Sequence, residues 1–159
     1  MKKMINRLSL MPLIIIMIAF IFSGCQKEPQ TDQHYNLDVV LQGGKSFGFI
    51  KFTQSSAKVI TLDTKVAHLA SNHEYLLQRA VDAINVVDGN CTSASWLTLG
   101  KGLTPQSIIT NADGNGEEQL WRDVSAIPSG SKFDIHFQII DATTMAVVLT
   151  SDCYWYQVR

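Results

Sequence analysis

Lys132-Phe133-Asp134-Ile135-His136-Phe137-Gln138-Ile139-Ile140 is the stretch that decides the fold class. Phe133, Ile135, Phe137 and Ile139 alternate with Asp134, His136 and Gln138. Successive side chains of a strand point to opposite faces, so this period of two predicts a half-buried antiparallel strand with one wet face. On its C-terminal side, Asp141 to Thr144 turns the chain, Met145 to Thr150 is apolar, and Cys153 to Val158 closes it with Tyr154, Trp155 and Tyr156. On its N-terminal side, Pro128 to Gly130 is a turn signal. Asn111 to Gly116 (NADGNG) joins Ser107-Ile108-Ile109-Thr110 to Glu117–Val124 as a hairpin, because Asn and Gly supply positive-φ positions.

Further upstream the same character persists. Ser95 to Leu99 and Gln106 to Thr110 are short strands around Gly100-Lys101-Gly102, a flexible loop ending at Pro105, and Asp88-Gly89-Asn90 is a turn. Glu74 to Val81 contains good helix formers, but Tyr75, Leu77, Arg79 and Val81 share one face of a strand, as its surroundings favour. Lys58 to Asp63 is a strand. Ser46 to Thr53 sets Phe47, Phe49, Ile50 and Phe52 around Gly48, a strand with a bulge or a close backbone approach. Leu37 to Gln42 runs into a turn at Gly43-Gly44. About nine short strands with turns near every tenth residue predict an all-β fold, a two-layer antiparallel β-sandwich of Greek-key or immunoglobulin-like type over 37–159.

The first residues have a different character. Lys2, Lys3 and Arg7 precede Leu8 to Phe22, an apolar run broken only by Ser9 and Pro12. A basic start, an apolar core of this length and small residues at its end predict a cleaved signal peptide over 1–24. A spanning helix needs about 20 apolar residues, more than this run offers. Phe22-Ser23-Gly24-Cys25 resembles the bacterial lipobox, with Phe22 where the common pattern has an aliphatic residue. The resemblance implies lipidation of Cys25 and two or three acyl chains at the mature N-terminus. Each buried methylene contributes about 0.8 kcal/mol, and stable anchoring takes two chains. Gln26, in place of an aspartate, implies release to the outer membrane, on its periplasmic or surface face. Residues 25–36, polar and containing Pro29, form the lipidated N-terminus and tether.

Removal of 24 residues from 159 leaves one domain's worth of chain, with ten Lys and Arg against 14 Asp and Glu. Without a basic stripe, nucleic acid is excluded as a partner, since phosphate neutralisation dominates that affinity. With Cys25 assigned to lipid, Cys91 and Cys153 remain, and export makes a disulfide between them the expectation.

No catalytic or metal constellation is expected. Asn111 to Gly116 begins like a calcium loop, but the twelfth position is Arg122 where an EF-hand needs a bidentate Glu, leaving only Asp113 and Glu117 as ligands. His34, His68, His73 and His136 form no HxH or HExxH pair. No GxSxG elbow exists, and Asp134 with His136 is what any polar strand face supplies. Trp96, Trp121 and Trp155 are candidate ligand-stacking residues, set against a core role that aromatic burial favours.

GGKSFGFIKF, KVITLD, NHEYLLQ and ITNADGNGE together resemble the CHRD-like and copper–zinc superoxide dismutase-like β-sandwiches. The resemblance implies a fold only. Tyr75-Leu76-Leu77-Gln78 stands where those enzymes carry their copper-binding HxH, so dismutase activity and a metal cofactor are not implied. The stretch from Asp88 to Leu99 and FDIHFQIIDATTMAVVLTSDCY are similar to uncharacterised bacterial lipoproteins. The expected role is therefore a lipid-anchored, non-catalytic binding or structural module. It would meet the bilayer through acylated Cys25 and a glycan or envelope protein through its domain. The alternatives are a metal-dependent extracytoplasmic enzyme using His68, His73 or His136, and a carbohydrate-binding module using a surface Trp.

Overall fold

The computed structural model describes residues 34–159, and these are all-β with no helix. The signal peptide expected over 1–24, the expected lipidation site Cys25 and the expected tether as far as residue 33 lie outside the described residues. Twelve strands follow in order: β1 (Leu37–Gly43), β2 (Ser46–Gln54), β3 (Val59–Ala67), β4 (Glu74–Val81), β5 (Leu97–Thr98), β6 (Gly100–Lys101), β7 (Thr104–Pro105), β8 (Ser107–Ile109), β9 (Gly116–Asp123), β10 (Lys132–Asp141), β11 (Val147–Ser151) and β12 (Tyr154–Gln157).

They belong to one sheet, and the expected two-layer sandwich gives way to a barrel-like arrangement. The long strands lie in the order β4-β10-β11-β1-β2-β3-β9, each antiparallel to the next. The two ends of this row are brought together by the segment from β5 to β8. β5 and β8 pair with β4, β6 pairs with β9 at Lys101–Trp121, and Thr110 bridges to Gly116 at the start of β9. Gly100-Lys101-Gly102, expected as a flexible loop, is thus part of the seam. Gly100 fits there because a Cβ would strike the carbonyl oxygen of Thr104. A sandwich would leave two separate sheets with free edges, whereas this seam nearly closes one sheet on itself.

Alternation along each strand fills the interior. Leu37, Val39 and Leu41 of β1 point in while Asp38 and Gln42 point out, and Ile60, Leu62 and Val66 do the same on β3. The core joins these to Ile50, Phe52, Leu77, Ile108, Leu120, Phe137, Ile139 and Leu149. A barrel of about eight strands has an interior just wide enough for side chains, so the lumen is packed. Each such buried side chain contributes about 1.5–3 kcal/mol. Gly48 marks a close approach without a bulge, because β2 keeps unbroken register with β1 and β3. A Cβ there would sit 3.0 Å from the Lys65 carbonyl oxygen and 3.2 Å from a Leu41 methyl. The register shift lies instead in β10, between Ile139 and Ile140.

The wet face expected for β10 is covered. Asp134 and Gln138 are buried, and His136 is half-buried. Residues 82–96 fold over Asp134 and His136 and are fastened by the Cys91–Cys153 disulfide, with Cα atoms 5.4 Å apart. Asp134 Oδ2 accepts the N–H groups of Asp88 and Gly89 at 2.8 and 2.9 Å. Asp82 accepts those of Thr92 and Ser93, and these bonds hold its carboxyl below the ordinary range. The loop thus supplies Asp134 Oδ2 with donors, while Asp134 Oδ1 has no partner and Gln138 donates to Gln78 Oε1 on β4 at 2.7 Å.

Candidate functional site

Two adjoining surface hollows lie on the outer face of β2, β3 and β9. On β2 the outward positions hold Phe47 and Phe49, which are 51% and 39% exposed while Ile50 and Phe52 point into the core. Two apolar rings on a solvent face run against the expectation that a strand puts its aromatics inside, and they give the face its character. Phe49 lies across from Lys65, and Lys65 across from Glu117, so three neighbouring strands contribute one row. The next row is Lys51, Asp63 and Gln119.

Two hollows of about 680 and 530 Å³ meet at Phe49, Lys65 and Glu117. The first reaches Phe47, Ile109 and the Asn111–Gly116 hairpin, and the second reaches Asp63 and Gln119. Polar groups along the floor are already ordered. Lys65 Nζ is 3.3 Å from Glu117 Oε2, and Gln119 Nε2 donates to Asp63 Oδ1 at 2.7 Å. The hairpin is preorganised too: Asn111 Oδ1 accepts the N–H groups of Asp113 and Asn115, and Gly114 takes φ +75° beneath the Leu69 carbonyl. With its Oδ1 so engaged, Asn111 holds the loop in shape. Chemically the face offers aromatic rings beside donors and acceptors of both charges, which suits an uncharged polyhydroxylated ligand with apolar C–H faces.

The three tryptophans are not brought together. Trp121 stands 42% exposed on the outer face of β9, two residues beyond Gln119, and covers Gly102. Trp96 packs against His136 with ring centres 4.6 Å apart. Trp155 packs against the His34 ring, and the Lys132 ammonium lies 5.4 Å from its ring centre. The histidines are likewise dispersed. His68 makes an edge contact with Phe47, and His136 Nε2 lies 3.0 Å from the Ser93 carbonyl oxygen. His73 Nε2 lies 2.7 Å from Asp141 Oδ2. Asp141 is held down to about 2, first by the Thr144 N–H, then against the opposing effect of burial by the Thr143 N–H and His73. Asp134 does not touch His136, since its bonds run to the 88–89 backbone. Among the described residues no three His, Cys, Asp or Glu side chains gather as a metal site.

No family model, curated protein or solved structure matches the chain.

The groove residues were missed by sequence reasoning that searched for tryptophan. The available signal was the unbroken apolar run Phe47-Gly48-Phe49-Ile50, which on a strand must place rings on both faces.

Proposed function

We propose that this chain is a non-catalytic binding module of the bacterial cell envelope, held to a bilayer through acylated Cys25, with the outer face of β2, β3 and β9 as its binding surface. The groove at Phe47 and Phe49 carries this reading. Exposed rings on a rigid sheet, bordered by hydrogen-bonding side chains already fixed in place, favour a saccharide as ligand, with the rings stacking on sugar C–H faces and Gln119 and Lys65 addressing hydroxyls. Trp121 extends the same face and is the tryptophan best placed to serve it.

The signal-like segment 1–24 and the Phe22-Ser23-Gly24-Cys25 sequence support the anchor and an outer-membrane location. The chain enters the described fold at Leu37, opposite Phe52, and β1 then runs about 20 Å to the Gly43 turn beside Phe47. An anchor upstream of Leu37 is therefore joined at the end of β1 remote from Phe47.

The test is a glycan array probed with the purified chain and with Phe49→Ala. Binding that falls at least tenfold in Phe49→Ala, with an unchanged melting temperature, is expected. Absence of binding across a broad array would overturn the saccharide reading, and equal palmitate-analogue labelling of wild type and Cys25→Ala would overturn the anchor.

A further inference from the structure

Two arginines face the barrel interior without an acidic partner. Arg79 lies on the inward side of β4 and Arg122 on that of β9, and both line a small cavity with Leu99, Phe137 and Ile60. The ion pairs of the described residues are Lys65–Glu117, His73–Asp141 and Lys101–Glu118, so neither guanidinium is neutralised. Arg122 donates to the Gly102 carbonyl at 3.1 Å, a neutral acceptor. A guanidinium keeps its charge at any ordinary pH, and burying one without a counter-charge is costly. Burial, and then the Arg122 charge, lower Arg79 from its ordinary value. Both residues keep part of their surface in solvent at this end of the barrel, which leaves a route in.

A second observation comes from the other side of Arg79. There a further cavity is lined by Val81, Ile127, Phe133 and Tyr156. The Tyr156 hydroxyl and Gln54 Nε2 are both buried without a well-formed hydrogen bond, although Gln54 stands close enough to act on the hydroxyl. Buried groups of this kind normally have partners. The two cavities measure about 40 and 70 Å³ and share Arg79, Ile60, Val124 and Ile135. A single water needs about 10–15 Å³ by this measure, so the space admits a ligand of a few heavy atoms.

We propose that this end of the barrel binds a short-chain monocarboxylate, its carboxylate between Arg79 and Arg122 and its hydrocarbon part among Val81, Ile127 and Phe133. The guanidinium fork matches a carboxylate in shape and charge. The apolar walls select against a hydrated dianion such as phosphate, which has no hydrocarbon part to bury. This site is separate from the outer groove and does not depend on it.

The experiment follows the melting temperature of the purified full chain, in a non-ionic detergent, against butyrate, butyramide and inorganic phosphate at constant ionic strength. Butyrate should raise it in a saturable manner and butyramide should not. Arg79→Met should weaken butyrate binding about tenfold to a hundredfold, as loss of a hydrogen bond to a charged group does. Because that substitution removes an unpaired charge, the ligand-free protein should melt no lower than wild type. Arg122→Met, read by the same titration, is the second variant should Arg79→Met fail to fold. No shift with butyrate, an equal shift with phosphate, or an undiminished shift in the variant read would each overturn the proposal.

Discussion

Replacing both Cys91 and Cys153 by Ser should cost this fold about 4 kcal/mol, the chain-entropy value for a loop closed over a separation of 62 residues. That is a large part of the 5–15 kcal/mol by which a typical domain is stable. The loss should act on the unfolded chain, because the covering loop has other fastenings in the native state. Asp134 holds the N–H groups of Asp88 and Gly89, Asp82 holds those of Thr92 and Ser93, and Asn85 exchanges two bonds with Lys132. Urea unfolding followed by tryptophan fluorescence is a suitable assay, since Trp96, the last residue of the loop, sits on His136. The midpoint should fall and the slope of the transition should steepen, as an untethered denatured chain exposes more surface. The native Trp96 signal should be unchanged. A loss below about 1 kcal/mol, against the entropic value, would refute this reasoning, as would a native state in which Trp96 has come free.

Asp134→Ala should destabilise by about 1–3 kcal/mol, since it orphans the Asp88 and Gly89 donors. Amide hydrogen exchange should quicken at those two positions first. Asp141 has a carboxyl pKa lowered to about 2, so the stability it contributes is complete above its ordinary value of 3.8 and is lost as pH falls through about 2. Titration of its side-chain carbon by NMR should show that midpoint, and Thr143→Pro, which removes a donated N–H, should move it upward.

Local pattern was legible where one face of a strand is buried and the other carries polar residues. The period of two in Phe133 to Ile139 and the extent of Glu74–Val81 both match the observed strands. The turn at Asn111–Gly116 was equally plain, because Gly114 needs a positive φ. The closure was not legible, since β4 beside β10 and β1 beside β11 are pairings between distant segments that no short window contains. Nor was the fate of the polar row on β10. Asp134, His136 and Gln138 look solvated in a sequence, and only the tethered loop over the first two and the Gln78 side chain beside the third reveal that they are covered. For the candidate groove the difficulty was chemical. Phe47 and Phe49 share their run with Ile50 and Phe52, so nothing in residue type separates the rings that face water from those that pack.

The seam between β4 and β9 has a further effect. With β5 and β8 paired along β4, that margin has little unpaired backbone left to offer a neighbouring polypeptide, whereas β9 is met by β6 at Lys101–Trp121 alone. Recruitment by strand addition at the β4 margin, and the fibrillar stacking that begins the same way, are obstructed there. Recognition on that side of the barrel must therefore be read through side chains.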